Sequence, residues 1–255
     1  MRVLALDTTT RDGSVAVVED DRIVVQRGGD PALTHAERLP AEILRILQDV
    51  GLALPAVDVF AVAAGPGSFT GLRIGIATIQ GLAFVQHRRV VPVSALVALA
   101  HAGSGELPVG AQVGAWMDAH RREVFSALYR VADAPVFAQA RLVEVDPPAV
   151  GDPASTIERW SAWPPIDLFI GDGAVLYKEM ITSRAVAAPL LAGTIGLIAV
   201  DRAQAGETVD PAPVSRLPRL RAPATQNVAR KCHFDHAGVR AEAFAQENLQ
   251  EIRMG

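Results

Sequence analysis

The stretch Gly65-Pro66-Gly67-Ser68-Phe69-Thr70-Gly71-Leu72-Arg73-Ile74-Gly75 joins two segments that can each take only one form. Before it, Val57 to Ala64 is a short apolar run between turn residues, the pattern of a buried strand. After it, Thr70 to Gln86 carries helical periodicity. The junction is therefore a sharp strand-to-helix turn, with glycine where the backbone bends or approaches something closely. Such a turn is a phosphate cradle at a helix N-terminus, a crossing point for another helix, or simply a tight connection. Gly71 and Gly75 share a helix face at a spacing of four, with Thr78 close to it. Small residues in this register let two helix backbones approach, which favours a helix-to-helix contact, within the chain or between chains.

The elements around this turn fall into an order. Arg2 to Asp7, Gly13 to Glu19 and Arg22 to Gln26 read as three strands whose short links permit only antiparallel neighbours. A helix follows, with Thr34 and Glu37 at capping-box spacing and Leu39, Ile43, Ile46, Leu47 and Val50 on one face. Pro40 predicts a kink there, or a helix that begins near Pro40. A strand at Val90 to Val93 and a helix from Ser94 to about His101 complete the first half. Three antiparallel strands followed by alternating helices and strands give the ribonuclease-H-like sheet, the building block of the actin-like ATPase superfamily. Beyond Ala102 to Pro108 the second half is expected to hold strands at Val113 to Asp118, Glu123 to Val131, Phe137 to Val145 and Ile166 to Ile170. Its helices are expected at Asp152 to Trp163 and Leu176 to Ser183, and Leu190 to Ala205 is apolar enough to return onto the first half. The expected class is α/β, with two ribonuclease-H-like lobes of mixed sheet flanked by helices. The first lobe is residues 1–103 joined by 190–205, the second 104–189; 206–221 is a closing segment and 222–255 a polar tail.

Composition narrows the functional classes. Half of the 255 residues are hydrophobic, yet no run reaches the roughly 18 apolar residues of a membrane span. A single cysteine, Cys232, excludes an intramolecular disulfide framework and fits a reducing compartment. The expectation is a soluble, cytoplasmic chain. Its net charge of −4 gives no basic field for binding nucleic acid unaided. Cys232, His233 and His236 lie close in sequence but lack a carboxylate-bearing scaffold, so no metal is expected. Ser68 sits in a strand-to-helix turn without the Gly-x-Ser-x-Gly pattern of a nucleophile elbow. Asp7, Thr8 and Thr9 end the first strand, where actin-like ATPases bring an acid and hydroxyls towards a nucleotide phosphate; a plain β-turn is the competing reading. An ATP-dependent phosphotransferase or hydrolase is therefore the alternative enzyme reading.

Five motifs together resemble the TsaB family: Gly65 to Gly75, Asp7-Thr8-Thr9, Thr34-His35-Ala36-Glu37, Asp118 to Phe125 (DAHRREVF) and Gly171-Asp172-Gly173-Ala174. The resemblance covers residues 1–221. It implies a pair of actin-like lobes and a non-catalytic role in making threonylcarbamoyladenosine in tRNA. It implies a heterodimer with the catalytic paralogue TsaD through helices of the first lobe, joined by the ATPase TsaE, with homodimers when alone. It also implies no cofactor. The catalytic paralogue carries two metal-binding histidines four apart on the helix after the fifth strand; here Ala95 and Leu99 hold those positions, and neither side chain binds metal. The older grouping of this family with glycoproteases loses its weight for the same reason. His120 stands where the family often has arginine, and an arginine in Pro218 to Arg221 replaces a frequent tyrosine. The expected partner surface is His35, Glu37, Leu39, Ile43, Phe69, Thr70, Gly71, Arg73, Gly75 and Thr78, with Gly71 and Gly75 setting how closely a partner helix comes. Contact with tRNA is expected to be indirect, through the complex, with Arg216, Arg219 and Arg221 as the residues that would share it.

Overall fold

Val3 and Ala5 point to one side of the first strand and Leu4 and Leu6 to the other, and all four are fully buried. A strand apolar on both faces must be covered by helices on both faces. The computed structural model, which describes residues 1–212, shows how. The expectations for Cys232, His233 and His236, for Arg216, Arg219 and Arg221, and for the tail lie outside the described residues. Strands β1 (Arg2–Asp7), β2 (Ser14–Glu19), β3 (Arg22–Gly28), β4 (Val59–Ala63) and β5 (Arg89–Val93) form a sheet in the order β3-β2-β1-β4-β5. The β1–β2 and β2–β3 pairs are antiparallel, while β4 runs parallel to β1 and β5 to β4.

The second half repeats this plan. Strands β6 (Gln112–Asp118), β7 (Val124–Val131), β8 (Leu142–Gly151), β9 (Leu168–Ile170) and β10 (Arg184–Val186) form a sheet in the order β10-β9-β6-β7-β8. Its first three strands are antiparallel, and β9 and β10 add in parallel on the far side of β6. Two copies of one mixed sheet are the ribonuclease-H-like duplication of the actin-like fold.

Helices α1 (His35–Asp49) and α2 (Phe69–Val85) cover one face of the first sheet, where Leu39, Ile43, Leu72, Ile76 and Ile79 pack on Leu4, Leu6, Phe60 and Val62. The opposite face takes α6 (Ala192–Gln204), whose Ile195, Ile198 and Ala199 join Val3, Ala5 and Ala61. Gly196 lets α6 sit down on the sheet, since a Cβ there would run into Val18. Helix α3 (Ala95–Ser104) packs against α6 and also against β6 and β7. The α3–α6 layer thus shares one core with both sheets. Helices α4 (Pro153–Trp160) and α5 (Asp172–Leu176) belong to the second half, where Trp160 and Phe169 pack on Trp116. The junction is tied by Arg141, whose buried guanidinium donates to the carbonyls of Ser104, Leu107, Ala132 and Ala134. Among the described residues no helix is long and apolar enough to cross a membrane.

Several element boundaries differ from the sequence expectations. Helix α1 begins at His35 and runs through Pro40; Thr34 and Glu37 make both bonds of the capping box, which fixes the start five residues before the proline. The strand expected over Phe137 to Val145 is displaced to β8, because Phe137 adopts a φ of 71° and a 3-10 turn occupies Gln139–Arg141. A helix over Leu176 to Ser183 is absent: α5 ends at Leu176, a 3-10 turn spans Lys178–Met180, and the chain then extends into the short edge strand β10.

Candidate functional site

The two first strands end in the same device. At the end of β1, Asp7 Oδ1 accepts the Thr9 N–H at 2.9 Å and the Thr9 hydroxyl at 2.7 Å. At the end of β6, Asp118 Oδ1 accepts the His120 N–H at 2.9 Å. Each is an aspartate bonding the backbone two residues on, which turns the chain into the next strand. Between the halves lies a cleft of about 380 Å³ whose walls include Asp7, Arg11, Asp12, Asp172, Val175 and Leu190. Asp172 Oδ1 accepts the N–H groups of Asp118 and Gly173, so the second hairpin meets the cleft too.

By charge alone, this cleft would need a cation to hold a polyphosphate. Its lining holds the carboxylates Asp7, Asp12 and Asp172 against the guanidinium of Arg11. Burial pushes the Asp7 carboxyl above its ordinary range, and the charge of Asp172 adds to the effect. Of the nucleotide-site candidates, Asp7 lines the cleft, whereas Thr8 and Thr9 do not. Thr9 is spent on Asp7, and the buried Thr8 hydroxyl faces α2 at Gly75. A carboxyl whose folded pKa is raised favours folding fully only below its unfolded value near 4, and that contribution is lost as pH rises. Asp7→Asn keeps the acceptor for Thr9 and removes the buried charge. It is expected to raise the unfolding midpoint at pH 7 by about 2–4 °C, with a smaller gain at pH 4, as read by thermal denaturation at both values.

The N-terminus of α2 is closed by its own chain, which removes the phosphate-cradle reading. Ser68 Oγ accepts the Gly71 N–H at 3.3 Å and the Ser68 N–H donates to Thr9 O at 2.8 Å. A side chain on Gly67 would run into Thr9. The turn includes a cis peptide between Gly65 and Pro66.

Five residues of the expected partner surface face inward. Gly71 packs on Thr8 O and the His35 ring, and Gly75 on the Thr8 side chain. Leu39 and Ile43 are in the core beneath α1. His35 is buried in a network that the sequence did not reveal. Arg38 donates through Nη1 to both Glu42 oxygens, at 2.8 and 2.7 Å, and through Nη2 to Arg11 O, Asp12 O and His35 Nδ1. A guanidinium can only donate, so His35 carries its proton on Nε2 and gives it to Thr10 O at 3.0 Å. Burial, and next the charge of Arg38, hold the His35 pKa below its usual value. The close approach signalled by Gly71 and Gly75 is thus an internal one, between α2 and the β1–β2 turn. Thr78 is half-buried, its hydroxyl bonded back to Ile74 O.

What faces outward is a different register, rotated about 200° around α2 from Gly75. Thr70, Arg73, Ala77, Gly81 and Phe84 recur at spacings of three and four, and all are exposed. A Cβ added at Gly81 would meet nothing. Arg73 lies over the Phe69 ring at 5.4 Å from its centre. Beside α2, the outer side of α1 presents Glu37, Pro40, Ala41 and Leu44. Exposures of 63% for Phe69, 69% for Phe84 and 60% for Leu44 mark an apolar face with small residues along its middle. An exposed patch of that kind is characteristic of a protein-binding surface. The heptad-like recurrence of Thr70, Ala77 and Phe84 was present in the sequence but was masked by the apolar residues on the inner side of the same helix.

Comparison with known proteins sets this geometry in a family. A family model described as "TsaD: tRNA N6-adenosine threonylcarbamoyltransferase" matches residues 29–159. A Haemophilus influenzae "tRNA threonylcarbamoyladenosine biosynthesis protein TsaB" is 42% identical over 130 residues, 49% of this chain and 52% of that protein. In that alignment the chain spans about half the length of its relative. The Escherichia coli protein of the same name is 31% identical over 189 residues, 69% of this chain and 81% of that one. The solved structure titled "YeaZ from Pseudomonas aeruginosa" superposes with a TM-score of 0.68 at 31% identity, covering 84% of this chain and 97% of its own. The chain belongs to the TsaB family.

In this TsaB-family chain, α3 opens at Ala95, whose N–H donates to Gly65 O at 2.8 Å. Ala95 and Leu99 are fully buried in the shared core. These two residues, which the family resemblance pairs with the paralogue's metal ligands, thus offer neither a side-chain donor atom nor access, and they do not fit a metal ion. His101, two residues further on, is buried beside Phe137, with ring centres 6.2 Å apart.

Proposed function

We propose that this chain is the non-catalytic scaffold subunit of the cytoplasmic assembly that forms threonylcarbamoyladenosine in tRNA, binding TsaD and, with it, TsaE. The observation that carries the reading is the exposed apolar face on α1 and α2 in a chain of the TsaB family. Its contact residues are Phe69, Thr70, Arg73, Ala77, Gly81 and Phe84 on α2, with Leu44 and Glu37 on α1. Ala77 and Gly81 let a partner helix approach closely, and Phe69 and Phe84 at either end supply apolar area. The same face serves a second copy of the chain when TsaD is absent. Catalysis is assigned to TsaD, because Ala95 and Leu99 cannot hold its metal.

Co-purification with the cognate TsaD tests the surface. Ala77→Arg combined with Phe84→Asp is expected to weaken the complex at least 30-fold, the effect of losing about 2 kcal/mol at a hot spot. Both sites are exposed, so the melting temperature of the isolated chain is expected to hold. Undiminished binding by that variant would overturn the assignment. Stoichiometric ATP binding by the isolated chain, with turnover lost in Asp7→Ala, would instead establish the phosphotransferase reading.

A further inference from the structure

We propose that the tip of the β6–β7 hairpin is a contact surface for RNA phosphates; the inference rests on the tRNA-modification reading above. The Glu123 N–H donates to His120 O at 2.9 Å, closing a β-turn over Arg121 and Arg122, and the Ala119 N–H donates to Glu123 O at 3.0 Å, so His120 is one extra residue on the β6 side. The turn's central residues, Arg121 and Arg122, have φ of 51° and 66°. Positive φ at both central positions is the type I′ geometry, which Asn-Gly and Asp-Gly fill with least strain. Here two arginines fill it, and His120 before them also has a φ of 60°. Local backbone preference therefore works against these residues, and strain of this kind is retained where side chains are needed in one place.

The charges at the tip are free to act outward. Arg2, Arg27, Arg38, Arg89 and Arg159 are each held by a carboxylate. Arg121 and Arg122 are exposed and have no ion-pair or hydrogen-bond partner among the described residues. Asp118 at the base of the turn is engaged by His120, Nδ1 to Oδ2 at 3.2 Å. Glu123 is exposed and pairs with neither arginine. Two adjacent guanidinium forks match phosphate oxygens in geometry and charge. The turn's one aromatic ring, His120, is bonded back to Asp118, so the contact is to the backbone and independent of base sequence. With a net charge of −4, the chain adds this contact to those of its partner and does not bind RNA strongly alone.

The test uses the full chain reconstituted with its transferase partner, titrating unmodified tRNA at several salt concentrations. Arg121→Asn with Arg122→Gly suits the turn and removes the charge. It is expected to raise the melting temperature of the chain by about 2–4 °C while weakening tRNA binding 5- to 10-fold at low salt. The slope of log affinity against log salt should become shallower by about 1.4, the share of two single-strand phosphate contacts. Arg121→Lys with Arg122→Lys is expected to restore most of the affinity. Unchanged affinity and slope in the Asn-Gly variant would overturn the proposal. Loss of the partner in place of RNA would also overturn it, assigning the tip to an acidic protein surface. If the wild-type chain forms no complex, the scaffold reading fails separately, and the variants are then compared on the full chain alone at low salt, where weak phosphate contacts are strongest.

Discussion

Gly75→Trp is expected to leave little folded protein, with a loss above about 4 kcal/mol of the roughly 5–15 kcal/mol that holds a chain of this kind together. Even the Cβ of alanine would overlap the Thr8 hydroxyl, and Thr8 is locked at the end of β1 between Asp7 and Thr9. Overpacking by a methylene or two costs about 1–3 kcal/mol where side chains can yield. An indole at Gly75 has to displace the β1–β2 turn itself, along with the His35–Arg38 network that grips the same turn from α1. Gly81, six residues on, makes the contrast. Nothing lies near it, so Gly81→Ala is expected to stabilise α2 by about 1 kcal/mol, the helical preference of alanine over glycine. Urea denaturation of both variants reads these opposite signs directly. A stable Gly75→Trp chain would mean that the α2 face directed at Thr8 is wrongly assigned. The comparison also decides how partner binding is probed: loss of binding in Gly75→Trp reports unfolding, whereas loss in Ala77→Arg reports the surface.

That contrast explains what the sequence could and could not disclose. The short apolar run Val3 to Leu6 in β1 and the turn chemistry at Asp7 and Asp20 specify local structure, and they led directly to the first sheet. Thr34 and Glu37 specify the start of α1 so firmly that Pro40 does not shift it. The spacing of Gly71 and Gly75 announced a close approach and said nothing about what approaches. The neighbour, Thr8, is brought there by β1–β4 pairing, a contact across more than 50 residues of chain. Helix α2 is apolar on both sides, so periodicity alone cannot tell its core stripe of Leu72, Ile76 and Ile79 from its exposed Ala77, Phe84 and Val85. Arg38 was illegible for a related reason. An arginine at a helical position reads as solvated, and only the β1–β2 turn folding over it makes it a buried clamp. The strand expected at Ile166 to Ile170 is present as β9, but the second sheet was less legible than the first because β10 is three residues long, too short to show a period.

His101 is expected to cost the fold about 3 kcal/mol as pH falls from 6.5 to 4. Its pKa is lowered to about 4, chiefly by burial, then by the charge of Arg202, with Arg141 adding and Asp201 opposing. In the unfolded chain the same imidazole takes a proton near 6.5. Above that value both states are neutral and nothing is lost. Below it the unfolded state binds a proton that the folded state refuses, and each pH unit down to about 4 removes roughly 1.4 kcal/mol. The environment gives the protonated ring little help. It lies against Phe137, its Nδ1 has no partner among the described residues, and the Arg202 and Arg141 guanidiniums contribute positive charge from α6 and from the turn before β8. His101→Leu has nearly the same volume and nothing to titrate, so its stability is expected to fall less steeply across this window. His35 and the carboxylates titrate equally in both proteins, which makes the difference between the two curves the contribution of His101. Guanidinium denaturation at half-unit steps from pH 7.5 to 4 measures it. Parallel curves would show that His101 reaches water in the folded chain and that the junction between the two sheets is open at that point.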